Sequence, residues 1–240
     1  MPDLTVVFED NHLLVVDKPA GLLVQGGDAP DGDDHLVARA QAYLKAKYQK
    51  PGNVYVGLVH RLDRNTSGLV VLAKTSKAAE RLSKAFATRA VAKTYLAVVS
   101  GLMPEAASFE HWLAPTEDGG SRVVSSGEPD AKPARLSFTT LSRSASARAS
   151  LIEVQLETGR KHQIRVQLAA AGHALLGDRR YAPPSIAAAF SRPALHAYRI
   201  ALQHPVRAGE HAFVAAIPED FSALVTSLGL LLKPDAKNPP

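Results

Sequence analysis

Residues 135–157 read RLSFTTLSRSASARASLIEVQLE. In the second half Ile152, Val154 and Leu156 alternate with Glu153, Gln155 and Glu157. That period of two marks a strand with one face buried and one face wet. Residues 135–141 form a similar run, and a polar Ser/Arg/Ala segment separates the two. Together they predict paired antiparallel strands, which decides between an antiparallel sheet and a doubly wound parallel one.

The same pattern continues on both sides. Thr158-Gly159 turns the chain, and residues 162–171 have helical spacing, with Ile164, Leu168 and Ala171 on one face and Gly172 as a C′ residue. Upstream, residues 103–133 are polar and broken by Pro104, Pro115, Gly119-Gly120, Pro129 and Pro133, predicting a surface excursion with one hairpin. At the N-terminus, apolar runs at 6–8 and 13–16 enclose Glu9-Asp10-Asn11, a hairpin signal, and Lys18-Pro19 closes the second strand. The Gly/Asp-rich stretch 21–34 reads as a loop, and residues 35–48 as a helix. Residues 68–74, GLVVLAK, read as a buried strand, followed by a helix from a Ser76 cap to about Thr88, with Ala79, Leu82, Ala85 and Phe86 facing inward. Strands are expected at 94–99, 195–202 and 213–217, and a closing helix at 219–228. No repeat and no linker interrupt this. The expected fold is α+β, a mixed, largely antiparallel sheet flanked by helices. It is expected as one catalytic domain over 1–228, with a flexible tail over 229–240.

Composition narrows the function. With 240 residues, 46% of them hydrophobic, the chain is long enough for a sizeable core. No run of about eighteen apolar residues is present, and the N-terminus lacks a basic signal-peptide region. The absence of cysteine excludes disulfides, thiolate zinc sites and a cysteine nucleophile. The cytoplasm is the expected compartment. A net charge of +5 and a pI of about 9.5 suit a polyanionic partner.

Two polar stretches could carry chemistry. The first, residues 59–68 (VHRLDRNTSG), sets Asp63 between Arg61 and Arg64 at the mouth of the buried strand. An aspartate there can simply cap backbone N–H groups. Beside guanidinium groups on a rigid element it can instead act as nucleophile or base. Metal binding is the rival explanation, but no HExxH occurs and the acids near Asp63 are too few for a carboxylate site. Ser67 lacks the glycine that begins a nucleophile elbow, and Gly26-Gly27 lacks the ending of a phosphate-binding loop. The second stretch, residues 158–173, carries Arg160, Lys161 and Arg165. A solvated basic helix face is the ordinary explanation. Arg165, however, adjoins the buried stripe and wants a carboxylate, for which Asp63 is a candidate. Tyr95, on its strand, is by default a core residue.

Taken together, HRLDRNTSG (60–68), Lys93-Thr94-Tyr95-Leu96, ETGRKHQIRVQLAAAGH (157–173), LLGDRRY (175–181), RPALHAYRIALQHP (192–205) and FEDNHLLVVDKPAGLLV (8–24) resemble, in order, the motifs of RluA-type RNA pseudouridine synthases. The resemblance spans about residues 6–217. It implies the pseudouridine synthase catalytic fold and isomerisation of uridine in ribosomal or transfer RNA to pseudouridine, without cofactor or metal. By the same resemblance Asp63 acts on the ribose, at C1′ or on the 2′ proton. Tyr95 stacks on the base and helps remove the C5 proton, and Arg165 pairs with Asp63. Arg61 fills the gap left by the flipped base, and Arg64, His60, Arg160 and Lys161 contact RNA. A flipped-out base fits a closed pocket with an aromatic platform, whose stacking contributes about 1–3 kcal/mol per base. Gln167 stands where the family often has histidine. No S4-like module is expected, so a compact stem-loop substrate is favoured, bound by a monomer with no obligate protein partner and no membrane association.

Overall fold

The computed structural model describes residues 4–26 and 34–232. Half of the predicted 21–34 loop and the last eight residues of the predicted tail lie outside the described residues. The chain divides into two compact units, residues 1–94 with 196–216, and residues 95–195 with 217–240.

The first unit begins with the expected hairpin, β1 (Thr5–Glu9) and β2 (Leu13–Lys18). Asp10 closes its turn by accepting the His12 and Leu13 N–H groups. Helix α1 (Leu36–Lys47) follows, capped by His35, and buries Leu36, Ala40 and Leu44. Then come β3 (Gly57–Leu58), β4 (Ser67–Ala73) and α2 (Ser76–Ala87). The α2 cap is Thr75, whose Oγ1 accepts the Ala78 N–H, and not Ser76 as expected. Thr75 has the extended backbone that a cap requires, whereas Ser76 already lies in the helix. Leu82 and Ala78 are buried against Leu69, Val71 and Phe213, with Ala79, Ala85 and Phe86 at the margin.

Every residue of β4 is buried, as the greasy run predicted. β2 covers one edge of β4 from Gly68 to Ala73 in antiparallel register. Its other edge is shared between β3 at Leu72–Ala73 and β10 (Leu195–Gln203) at Ser67–Gly68. β10 runs parallel to β4 and antiparallel to β11 (Glu210–Val214). Gly68 has φ +114, and a β-carbon there would collide with the Ala197 carbonyl. Only glycine allows β10 so close at this point.

The second unit holds most of β5 (Ala92–Ser100), then β6 (Ala106–Pro115), β7 (Ser121–Val124), β8 (Lys132–Ser144) and β9 (Ala149–Leu156). β8 and β9 pair antiparallel, as the opening stretch predicts, with a bulge between Thr140 and Ser142. The expected hairpin within 103–133 is present, but its strands belong to the sheet and are not a surface excursion. β6 pairs with β8 from Ala106 to Leu113, and β7 pairs with the end of β6. Ala107, Phe109 and His111 turn inward while Ala106, Ser108 and Glu110 face water. The small residues conceal this alternation, and the thirteen-residue β8 supplies hydrogen bonds that local propensity does not announce. Helices α3 (Gln163–Ala170), α4 (Pro184–Ala187) and α5 (Glu219–Ser227) complete the unit. Beyond α5, Leu230 is buried and the Leu231 N–H donates to Ser142 Oγ, so the first residues of the predicted tail are packed. The mixed, largely antiparallel α+β architecture is as expected.

Candidate active site

In the first unit, the loop ahead of β4 carries His60, Arg61, Asp63 and Arg64. Leu62 is buried and anchors it, and the Thr66 N–H donates to the Asp63 carbonyl. The loop is also tied to the turn after β2. Gly21 N–H donates to the Arg64 carbonyl, and Arg64 Nε returns a bond to the Gly21 carbonyl at 2.8 Å. Between them lies Lys18, fully buried, whose Nζ donates to the carbonyls of Pro19, Leu22 and Arg64 at 2.8–2.9 Å. A buried ammonium must find oxygen partners, and three carbonyls match its three N–H groups. The result clamps the backbone immediately after Asp63.

His60 faces inward. Its ring stacks on Phe86 at 4.4 Å, and Nε2 accepts the Val71 N–H at 2.9 Å. Val71 lies on the β4 edge where neither β3 nor β10 reaches, so the imidazole completes the ladder there. Removal from water, with the Lys93 charge nearby, pushes the His60 pKa down to about 3. The ring is therefore neutral at physiological pH, as accepting the Val71 N–H requires. On the β10 side, Ser67 Oγ and His196 Nδ1 lie 3.0 Å apart, both buried, at the registered pair Ser67↔His196. The separate TSG and LHA motifs thus meet in space. Arg61 is exposed, and Asp63 is partly exposed.

The second unit holds Tyr95, Arg160, Lys161 and Arg165. Tyr95 is 92% buried at the head of its part of β5. His162, with φ +55, turns the chain left-handed into α3 and sets Arg165 one turn in. Arg165 Nε and Nη2 donate to the two oxygens of Asp178 at 2.8 and 2.9 Å. The Tyr181 ring lies under the guanidinium at 5.1 Å. Asp178 Oδ1 also accepts the Arg180 and Tyr181 N–H groups. Tyr181 hydroxyl accepts the Ser121 N–H and lies 2.7 Å from His162 Nδ1. With only 1% of its side chain exposed, Asp178 is the hub. The residues expected to contact RNA on this stretch divide. Lys161 is exposed, while Arg160 Nε donates to the Pro133 carbonyl.

Two residues here, Asp178 and Lys18, escaped the sequence reading. Asp178 sits in LLGDRRY, where an acid beside two arginines was the available signal. Lys18 looked only like a strand end, and burial of a lysine has no local signature. Gln167 is fully buried, with Nε2 directed at the Phe109 and Ala134 carbonyls and His111 Nδ1. It joins α3 to β6 and β8. Among the described residues no group of three or more His, Asp or Glu side chains could hold a metal ion, and no helix is long and apolar enough to cross a membrane.

Residues 12–170 match the family described as RNA pseudouridylate synthase. The chain belongs to this family. It is 36% identical over 233 residues to ribosomal large subunit pseudouridine synthase D of Zymomonas mobilis, covering 94% of this chain and 73% of that protein. It is 35% identical over 224 residues to the uncharacterized RNA pseudouridine synthase YhcT of Bacillus subtilis, covering 92% and 71%. Human RNA pseudouridylate synthase domain containing 4 superposes with a TM-score of 0.76 at 25% identity, over 95% of this chain and 94% of that one. The RluA-type resemblance and the synthase fold are thereby confirmed. The synthase is an RNA isomerase that converts uridine to pseudouridine. The matched span includes Asp63, Tyr95 and Arg165 and ends before Asp178.

Proposed function

We propose that this synthase modifies a uridine in structured ribosomal RNA through Asp63, Tyr95 and Arg165, with the two units serving one catalytic domain. The ribosomal target is supported by the names of the relatives it resembles. The observation that carries the choice of Asp63 is the clamped loop. A buried lysine, a neutral histidine and a paired Gly21–Arg64 turn hold the backbone on both sides of one carboxylate.

In this mechanism the uridine leaves its stack, at a cost of a few kcal/mol, and Arg61 occupies the gap. Asp63 acts on the ribose, at C1′ or on the 2′ proton. The N1–C1′ bond breaks, the uracil turns against Tyr95, and a C5–C1′ bond forms. The C5 proton departs and N1 gains one, so the composition is unchanged. Arg165, oriented by Asp178 and Tyr181, supports the charge on Asp63 from its remaining donors. The synthase acts as a cytoplasmic monomer without a protein partner.

Asp63→Asn should lower tritium release from RNA carrying 5-tritiated uridine about a thousandfold or more while RNA binding persists. Wild-type release by that variant overturns the assignment. Pseudouridine mapping of total RNA from cells with and without the protein identifies the target.

A further inference from the structure

Several arginines of the second unit crowd one stretch of chain, and they are not equivalent. Arg165 is bound to Asp178, Arg180 to Asp118 at 2.7 Å, and Arg192 to both oxygens of Asp220 at 2.7 and 2.9 Å. Arg179 is different. It is exposed, and its guanidinium has no hydrogen bond or ion pair among the described residues. It borders an open hollow completed by Ala187, Ala188, Phe190 and Ser191.

The hollow is built by tight backbone packing. Gly177 has φ +76, and a β-carbon there would collide with the Arg192 carbonyl. Its N–H donates to the Ile186 carbonyl, while the Ala194 N–H donates to the Leu176 carbonyl. The chain two residues before Arg179 is thus fastened to both α4 and the segment after Phe190. Behind the hollow, the buried Arg192 lies over the Phe190 ring at 5.4 Å. Alanines on α4 leave the front open. An exposed guanidinium on a fastened backbone attracts an anion, a partly exposed phenyl ring offers a stacking surface, and Ser191 offers a hydroxyl. Phosphate, base and a polar edge in one small space describe a nucleotide.

We propose that this hollow is an accessory RNA subsite, holding an unpaired nucleotide of the substrate by its phosphate on Arg179 and its base on Phe190. It rests on the reading of the chain as a synthase acting through Asp63. Asp178 gives it a link to the chemistry, since the carboxylate that orients Arg165 immediately precedes Arg179 in the chain.

The test uses the Asp63→Asn protein, in which binding is separated from turnover, with single-stranded oligouridylate and an unmodified large-subunit ribosomal RNA transcript as probes. Arg179→Gln should weaken oligouridylate binding and lower the slope of log affinity against log salt by about 0.7, the value for one lost phosphate contact on a single strand. Arg179→Lys should keep the slope. Phe190→Leu should weaken binding about tenfold with the slope unchanged, and Phe190→Trp should restore it. In the Asp63-containing enzyme the same losses should appear in KM. Wild-type affinity and slope for Arg179→Gln and Phe190→Leu, with unchanged melting temperatures, overturn the subsite. So does a larger effect of Arg179→Gln on polyglutamate binding than on RNA binding, which marks an acidic protein surface as the occupant. If Asp63→Asn still turns over, the catalytic reading fails, while the binding data still decide the hollow.

Discussion

The Asp63 loop and the Arg165 helix are positioned by opposite means. In the first unit a buried cation, Lys18, gathers backbone carbonyls, and the constraint falls on the main chain of the loop. In the second unit a buried anion, Asp178, grips one edge of a guanidinium with both oxygens, and the constraint falls on the side chain. The difference follows from geometry. A short aspartate is placed once its backbone is fixed. A long arginine has several free torsions and needs a bidentate partner at its far end.

The largest test of this contrast removes the anion. Asp178→Ala leaves Arg165 without its buried partner and should cost about 3–5 kcal/mol by urea denaturation, together with most of the activity. Unchanged stability would mean that Arg165 is oriented from elsewhere. Lys18→Met should come next, at about 3 kcal/mol, because three carbonyls lose a donor. Faster hydrogen exchange at the Gly21 and Thr66 amides should accompany it, and unaltered exchange would show that the clamp is not what holds the loop.

Two smaller effects have opposite signs with pH. His60 has its pKa depressed to about 3, so its contribution is complete above pH 6.5 and is lost as the pH falls toward 3. His60→Gln should flatten that acid limb of the melting-temperature profile. Asp17, partly buried, has its pKa raised to about 6 by desolvation, only partly offset by the neighbouring Lys18 charge. Its penalty is absent below pH 3.8, grows as the pH rises, and is complete above pH 6. Asp17→Asn should therefore raise the melting temperature slightly at pH 7.5 and leave it unchanged at pH 3.5. Equal shifts at both values would contradict that linkage.

The elements with strong local signals were legible in the sequence. Ile152, Val154 and Leu156 marked β9, the run at 69–73 marked β4, and Leu82 with Phe86 marked the inner face of α2. β6 escaped because Ala106, Ala107 and Ser108 have little strand propensity and its register is imposed by β8. Asp63, Tyr95 and Arg165 were reached through clustered charge and motif resemblance. Their supports were not, because Lys18 and Asp178 act by burial. Burial of a polar side chain depends on partners 46 and 13 positions away, respectively.

By itself, then, the amino-acid order determined the strand-rich fold class, the family and the residues with chemistry to offer, because periodicity and motif spacing are local properties. Only the tertiary structure decided which polar groups are buried and what they hold. It set Arg165 on Asp178, turned His60 into a neutral ladder partner and left Arg179 with its guanidinium open to an anion. Desolvation and hydrogen-bond geometry are properties of the packed chain, and they separate residues of the same type that look alike in sequence.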